Sequence, residues 1–144
     1  MKGRGLVVLL AGTLAAGCGG SSSGPLDQLQ AQATRICLQS DQRLRRISGS
    51  PTHSELFLRR GVAVLGRELR ALRRLRVSGD ASSVYQSALA GFSGELSAID
   101  HTIAALDHQQ DAVIAFRALE HRLVPLERQA NGAWKTLGIS ACAS

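Results

Sequence analysis

The sequence predicts an all-α fold, an antiparallel up-down four-helix bundle over residues 25–144. Three observations predict it. Apolar residues recur at steps of three and four along four segments, the spacing of one helix face. No stretch alternates apolar and polar residues with period two for long enough to make a strand. Aromatic residues make up only 3% of the chain against 44% apolar residues, so Leu, Ala, Val and Ile must fill the core. The length of 144 residues suits one domain. Charged residues are 19% with both signs mixed, which is not the composition of a disordered tail.

The first helix is predicted over residues 25–47. Pro25 suits the first helical position and Asp27 suits the positive end of the helix dipole. Leu29, Ala33, Ile36, Ser40, Leu44 and Ile47 make its stripe, and Gly49 can end it. The second is predicted over residues 52–77. Thr52-His53-Ser54-Glu55 is a capping-box pattern, Leu58, Val62, Leu65, Leu69 and Leu72 form the stripe, and Gly79 supplies the stop. The third starts after Asp80, with Ser82 and Ser83 as alternative caps. Its stripe of Leu89, Phe92, Leu96, Ile99, Ile103 and Leu106 is the most regular in the chain. The stripe lapses across Asp107-His108-Gln109-Gln110, where a turn or sharp kink is expected. Without it, the third and fourth segments would form one helix of roughly 85 Å, too long for a domain of this size. The fourth carries Val113, Phe116, Leu119, Leu123, Leu126, Ala130, Trp134 and Leu137, and Gly138 caps it. Pro125 lies inside it, so a kink or break is expected there. Short connections between four helices give antiparallel neighbours.

Ahead of the bundle, Lys2 and Arg4 precede an uncharged, mostly apolar run from Leu6 to Ala16. A membrane span needs roughly 20 such residues, so the run fits the h-region of a signal peptide instead. It ends in Leu14-Ala15-Ala16-Gly17-Cys18, which resembles the lipobox of bacterial lipoproteins, with Ala15 where leucine is favoured. The resemblance implies that residues 1–17 are a cleaved lipoprotein signal peptide. It also implies that Cys18 carries a diacylglyceryl group and further acyl chains such as palmitate. The protein would then be anchored in the cell membrane on its extracytoplasmic face. The plain alternative is a secretory signal cut in the A-x-A-like Ala15–Gly17 region, leaving Cys18 unmodified. Gly19–Gly24 reads as a flexible tether with a root-mean-square span of roughly 13 Å. Residues 18–24 are thus the lipidated cysteine and tether, and residues 25–144 the bundle.

Setting Cys18 aside leaves Cys37 and Cys142 as one pair, in a compartment where disulfides persist. The alternative is two unpaired, buried cysteines. The whole pattern is similar to small, largely uncharacterised lipoproteins of high-GC Gram-positive bacteria. The likeness rests on the lipobox, the Gly/Ser tether, an early cysteine in the first helix within "ATRIC", and the closing "LGISAC". It implies an architecture and not an activity.

Charge is unevenly distributed. Ten arginines lie between Arg43 and Arg76, opposed only by Glu55 and Glu68. Six acids lie between Glu95 and Glu127, opposed by Arg117 and Arg122. Arg43, Arg45, Arg46, Arg59, Arg60, Arg70, Arg73 and Arg74 are the candidate contacts for an anionic lipid, a wall polymer or an acidic protein partner. The competing reading is a solvated helix face, partly matched by the acidic second hairpin. Nucleic acid is a poor candidate, because aromatic platforms are missing and the compartment is wrong. His101 and His108 share a face on a continuous helix, with Asp111 one turn on, but Glu-x-x-His and His-Glu-x-x-His are absent. These histidines, with His53 and His121, read as polar surface residues. Gly91-Phe92-Ser93-Gly94 interrupts a helical stripe and reads as a close helix contact, not a phosphate loop. Tyr85 and Trp134 read as core packing or interface edge. No catalytic constellation, cofactor fingerprint or metal motif is present in the sequence. The expectation is a lipid-anchored envelope protein that binds or supports and does not catalyse. The alternative is an extracytoplasmic carrier of a small ligand or metal, with its site between the helices.

Overall fold

The computed structural model describes residues 24–47 and 55–143. The signal segment, Cys18, the tether up to residue 23, Gly49 and the Thr52–Ser54 part of the capping pattern lie outside the described residues. Four helices follow one another: α1 (Pro25–Leu44), α2 (Glu55–Arg73), α3 (Ala81–Asp107) and α4 (Ala112–Thr136). A short 3₁₀ turn, Ser140–Cys142, closes the domain. The described residues contain no strand, and the helices pack on one another as a four-helix bundle. None of these helices is long and apolar enough to cross a membrane.

Local chemistry sets most of the boundaries. At the start of α1, Asp27 accepts a hydrogen bond from the Gly24 N–H at 3.0 Å. The helix ends three residues sooner than its stripe suggests, because Arg46 and Ile47 bond three residues back and tighten the chain into a turn. The last turn of α2 tightens in the same way, with Arg74 and Leu75 bonded to Ala71 and Leu72, before Gly79 turns the chain at φ 68°. At the start of α4, Asp111 accepts from the Ile114 N–H at 3.1 Å and caps the helix.

The turn expected at 107–110 is present. Gln109 sits at φ 61°, its N–H bonds Leu106, and the Gln110 N–H reaches back to Ala105. This is a Schellman closure with glutamine where glycine is usual. Gln109→Gly should therefore stabilise the domain by about 0.5–1 kcal/mol, read as a higher urea midpoint at unchanged m-value. The same closure ends α4, with Gly138 at φ 70° and Ile139 bonded to Trp134.

Pro125 does not break α4, which runs unbroken through it. The proline is exposed, so the carbonyl it leaves without a partner, that of exposed His121, can take a hydrogen bond from water.

The core is centred on Ala33, Leu72, Tyr85, Trp134 and Ile139, each no more than 1% exposed. Tyr85 donates to the Leu72 carbonyl at 2.8 Å and meets Trp134 edge-on, with ring centroids 5.7 Å apart. Both lone aromatics are thus packed in the core. The α3–α4 contact is the most extensive, and Gly91 lies in it. A Cβ there would lie 3.0 Å from the Ala130 Cβ and backbone nitrogen, and 3.1 Å from the Leu126 carbonyl oxygen. Gly91→Val should cost about 1–3 kcal/mol, because backbone cannot move aside as a side chain can. Gly132→Ala, on the open face of α4 with no atom within 4 Å, should instead gain about 0.5–1 kcal/mol. Equal urea midpoints for the two variants would refute this account of the contact.

Candidate ligand pocket

The four helices do not close evenly into a ring. α1 packs on α2, α2 on α3 and α3 on α4, but α1 and α4 share little direct interface. The Ser140–Cys142 turn stands between them and touches both. It is held by the Cys37–Cys142 disulfide, whose Cα atoms are 5.2 Å apart across 105 residues of sequence. Gln30 adds a second tie, donating to the Leu137 carbonyl at 2.8 Å. The cysteine pair expected from the sequence is therefore bonded, and its work is to seat the tail between the first and last helices.

The tail fills only part of that gap. Beside it lies a pocket of about 520 Å³, lined by all four helices and by the tail. Its walls are apolar, from Leu65, Phe92, Ile99, Leu123 and Trp134. Into the same lining come four carboxyl groups, one from each helix: Asp41, Glu68, Glu95 and Glu127. Glu68 is buried and hydrogen-bonded to the equally buried Ser40 of α1. Burial pushes the Glu68 carboxyl up to about 7; the Ser40 hydrogen bond opposes this, and the charges of Glu95 and Asp41 add to it. Burial also pushes Glu95 up to about 7, with the charge of Glu127 adding to it. At the rim, Asp41 pairs with Arg45 at 2.8 Å, and both are substantially exposed. Arg45, Asn131 and Ser140 complete the polar part of the lining.

Such a pocket has a definite chemical preference. Two carboxyls that titrate near neutrality sit against a hydrophobic wall, so a cation with an apolar body satisfies both parts at once. Above pH 7, where both are ionised, a neutral guest leaves these carboxylates unpaired and an anion is repelled. The pocket is also of the size that small-molecule sites occupy.

Of the arginines singled out in the sequence, Arg45 lines the pocket rim and the others fall elsewhere. Arg43, Arg45, Arg46, Arg59 and Arg60 lie where α1 ends and α2 begins. Arg70, Arg73 and Arg74 lie at the opposite end of the bundle, where α2 stops. Arg59 pairs with Glu55 at 2.7 Å and with Asp107 of α3. Arg73 donates to the Ser93 hydroxyl at 3.1 Å. His101, His108 and His121 are exposed. His53 and Cys18 lie outside the described residues. Among the described residues, no group of three or more His, Cys, Asp or Glu is arranged to hold a metal ion.

The four pocket acids went unremarked as a group in the sequence because each looks like an ordinary helix-surface charge. A signal existed. Glu68 stands three residues after Leu65 and four before Leu72, on the apolar stripe itself. Glu95 stands likewise between Phe92 and Ile99. An acid at a stripe position is a buried acid in need of a reason.

Compared with protein-family models, curated proteins and solved structures, the chain matches none.

Proposed function

We propose that this protein is a lipid-anchored, extracytoplasmic binding protein without catalytic activity, and that its ligand site is the pocket between α1 and α4. The ligand class that suits it is a small organic cation with an apolar body, such as a hydrophobic amine. One observation carries the reading: four carboxyl groups, one from each helix, line an apolar pocket of about 520 Å³. The lipobox at Cys18 supplies the address.

Binding of a cation should strengthen with pH. Glu68 and Glu95 lose their protons near 7, so the pocket carries more negative charge at pH 8 than at pH 6. The test is titration calorimetry with phenethylamine and a neutral analogue, 3-phenylpropanamide, at both pH values. The amine should bind more tightly at pH 8, the neutral amide weakly at both, and a Glu68→Gln/Glu95→Gln variant should remove the difference. Equal affinity for amine and amide, or none for either, would refute the site. The anchor is checked separately, by the mass of the Cys18 peptide in membrane fractions.

A further inference from the structure

The antiparallel arrangement gives the bundle two ends. At one, α1 begins and α2 stops; at the other, α1 stops, α2 begins and α3 hands over to α4. The arginine-rich stretch spans both ends, and the two are chemically different.

At the end away from Pro25, two of the five arginines have acidic partners, and Arg43, Arg46 and Arg60 form no ion pair with a described acid. Arg45 pairs with Asp41, and Arg59 with Glu55 and Asp107. Asp100 and Asp111 add further negative charge there. At the Pro25 end the balance differs. Arg70, Arg73, Arg74 and Arg76 are all exposed, and none forms an ion pair with a described acid. The nearby acids are Asp27, bonded to the Gly24 N–H, and Asp80, at the start of α3. Arg74 and Arg76 line the same shallow groove as Pro25, Gln28 and Gln32. The chain therefore enters the domain beside Arg74 and Arg76, while the Arg73 guanidinium is bonded to Ser93 of α3.

We infer that the Pro25 end of the bundle, through Arg70, Arg73, Arg74 and Arg76, docks on an anionic lipid surface. The inference rests on the proposed anchor at Cys18. The proposed anchor lies six residues before Gly24, so the chain cannot carry Gly24 more than about 22 Å from the headgroups. Charges at this end can therefore come within the screening length of about 8–10 Å at physiological salt, while α1, roughly 30 Å long, keeps the far end outside it. The tether selects which end faces the lipid, and the arginines hold it there. The pocket acids and the paired arginines then stay on the water side.

Hydrogen exchange on the intact lipidated protein tests this, in vesicles rich in phosphatidylglycerol and in vesicles of phosphatidylcholine alone. In the anionic vesicles, exchange of residues 25–28 and 70–78 should slow by about fivefold or more. Residues 43–47 and 107–112 should exchange alike in both vesicle types. High salt, or the R70Q/R73Q/R74Q/R76Q variant, should abolish the difference while the protein still floats with the vesicles. The R43Q/R45Q/R46Q/R60Q variant should retain it. Identical exchange in the two vesicle types, or protection at residues 43–47 instead, would overturn the docking. Failure to float with phosphatidylcholine vesicles would overturn the anchor instead. In that event docking stands only if the protein floats with the anionic vesicles and loses this in the R70Q/R73Q/R74Q/R76Q variant.

Discussion

Reduction of the Cys37–Cys142 bond is expected to lower the free energy of unfolding by about 2–5 kcal/mol. The bond closes a loop of 105 residues, and the chain-entropy account assigns about 4.7 kcal/mol to a loop near that length. The loss has a local part as well. Ile139 is fully buried, and Ala141 and Ala143 pack on the same cluster only while the tail stays between α1 and α4. With the bond cut, Gln30 and the Schellman closure still hold Leu137 to Ile139, but little fixes the residues beyond. Denaturant unfolding with and without reductant measures the loss. A Cys37→Ser/Cys142→Ser variant separates it from side effects of the reductant. Because the tail lines the pocket, the same variant should bind a cationic ligand more weakly even where the domain remains folded. A midpoint unchanged on reduction would mean that the tail stays seated without its covalent tie.

The second large effect belongs to Glu68. Its carboxyl rises from an ordinary 4.5 to about 7 on folding, chiefly by burial. The folded state therefore holds a proton that the unfolded state has already released. Stability is full below about 4.5 and is lost as pH rises through 7, because the folded state binds more protons over that window. Glu95, raised to about 7, acts in the same direction. The protein should be more stable at pH 5 than at pH 8. Glu68→Gln replaces the buried charge with a neutral group that still accepts from Ser40. It should raise stability at pH 8 by on the order of 1–3 kcal/mol and change little at pH 5. Guanidinium unfolding at the two pH values decides it, and parallel pH profiles for the parent and the variant would sink the assignment. The variant should also bind the amine less well. A group retained at a cost in stability, beside an open pocket, is the pattern expected of a binding residue.

How far the sequence could be read depended on the range of the interactions concerned. The stripes of α2 and α3 are local patterns, and Leu69, Leu72, Leu89, Phe92, Leu96 and Ile103 are all buried as their spacing requires. Gly79 and Gly138 mark real turns because only the left-handed backbone there is in question, and that is a property of one residue. Gln109 takes the same conformation without being glycine, so only the lapse in the stripe betrayed it. Of the kink or break expected at Pro125, the break does not occur: α4 continues through the exposed proline, whose unpartnered carbonyl can be met by water. The pocket was the least legible feature. Asp41, Glu68, Glu95 and Glu127 are separated by 27 to 32 residues, and only the tertiary arrangement brings them to one lining. Likewise, the arginine-rich stretch read as one basic face until the antiparallel fold divided it between two ends.

The position of the disulfide also fixes how the domain answers a pull. Tension applied between Gly24 and Ala143 passes along α1 to Cys37, crosses the bond and leaves through Cys142. The 105-residue loop lies outside that path. Only the first part of α1 and the last residue of the tail can be drawn out, to a span of roughly 50 Å, against roughly 400 Å for the reduced chain. The seam that peels is the outer part of α1, including Leu29 and Ala33. α2, α3 and most of α4 bear no load, so the oxidised domain yields at one short zipper and keeps the rest of its fold.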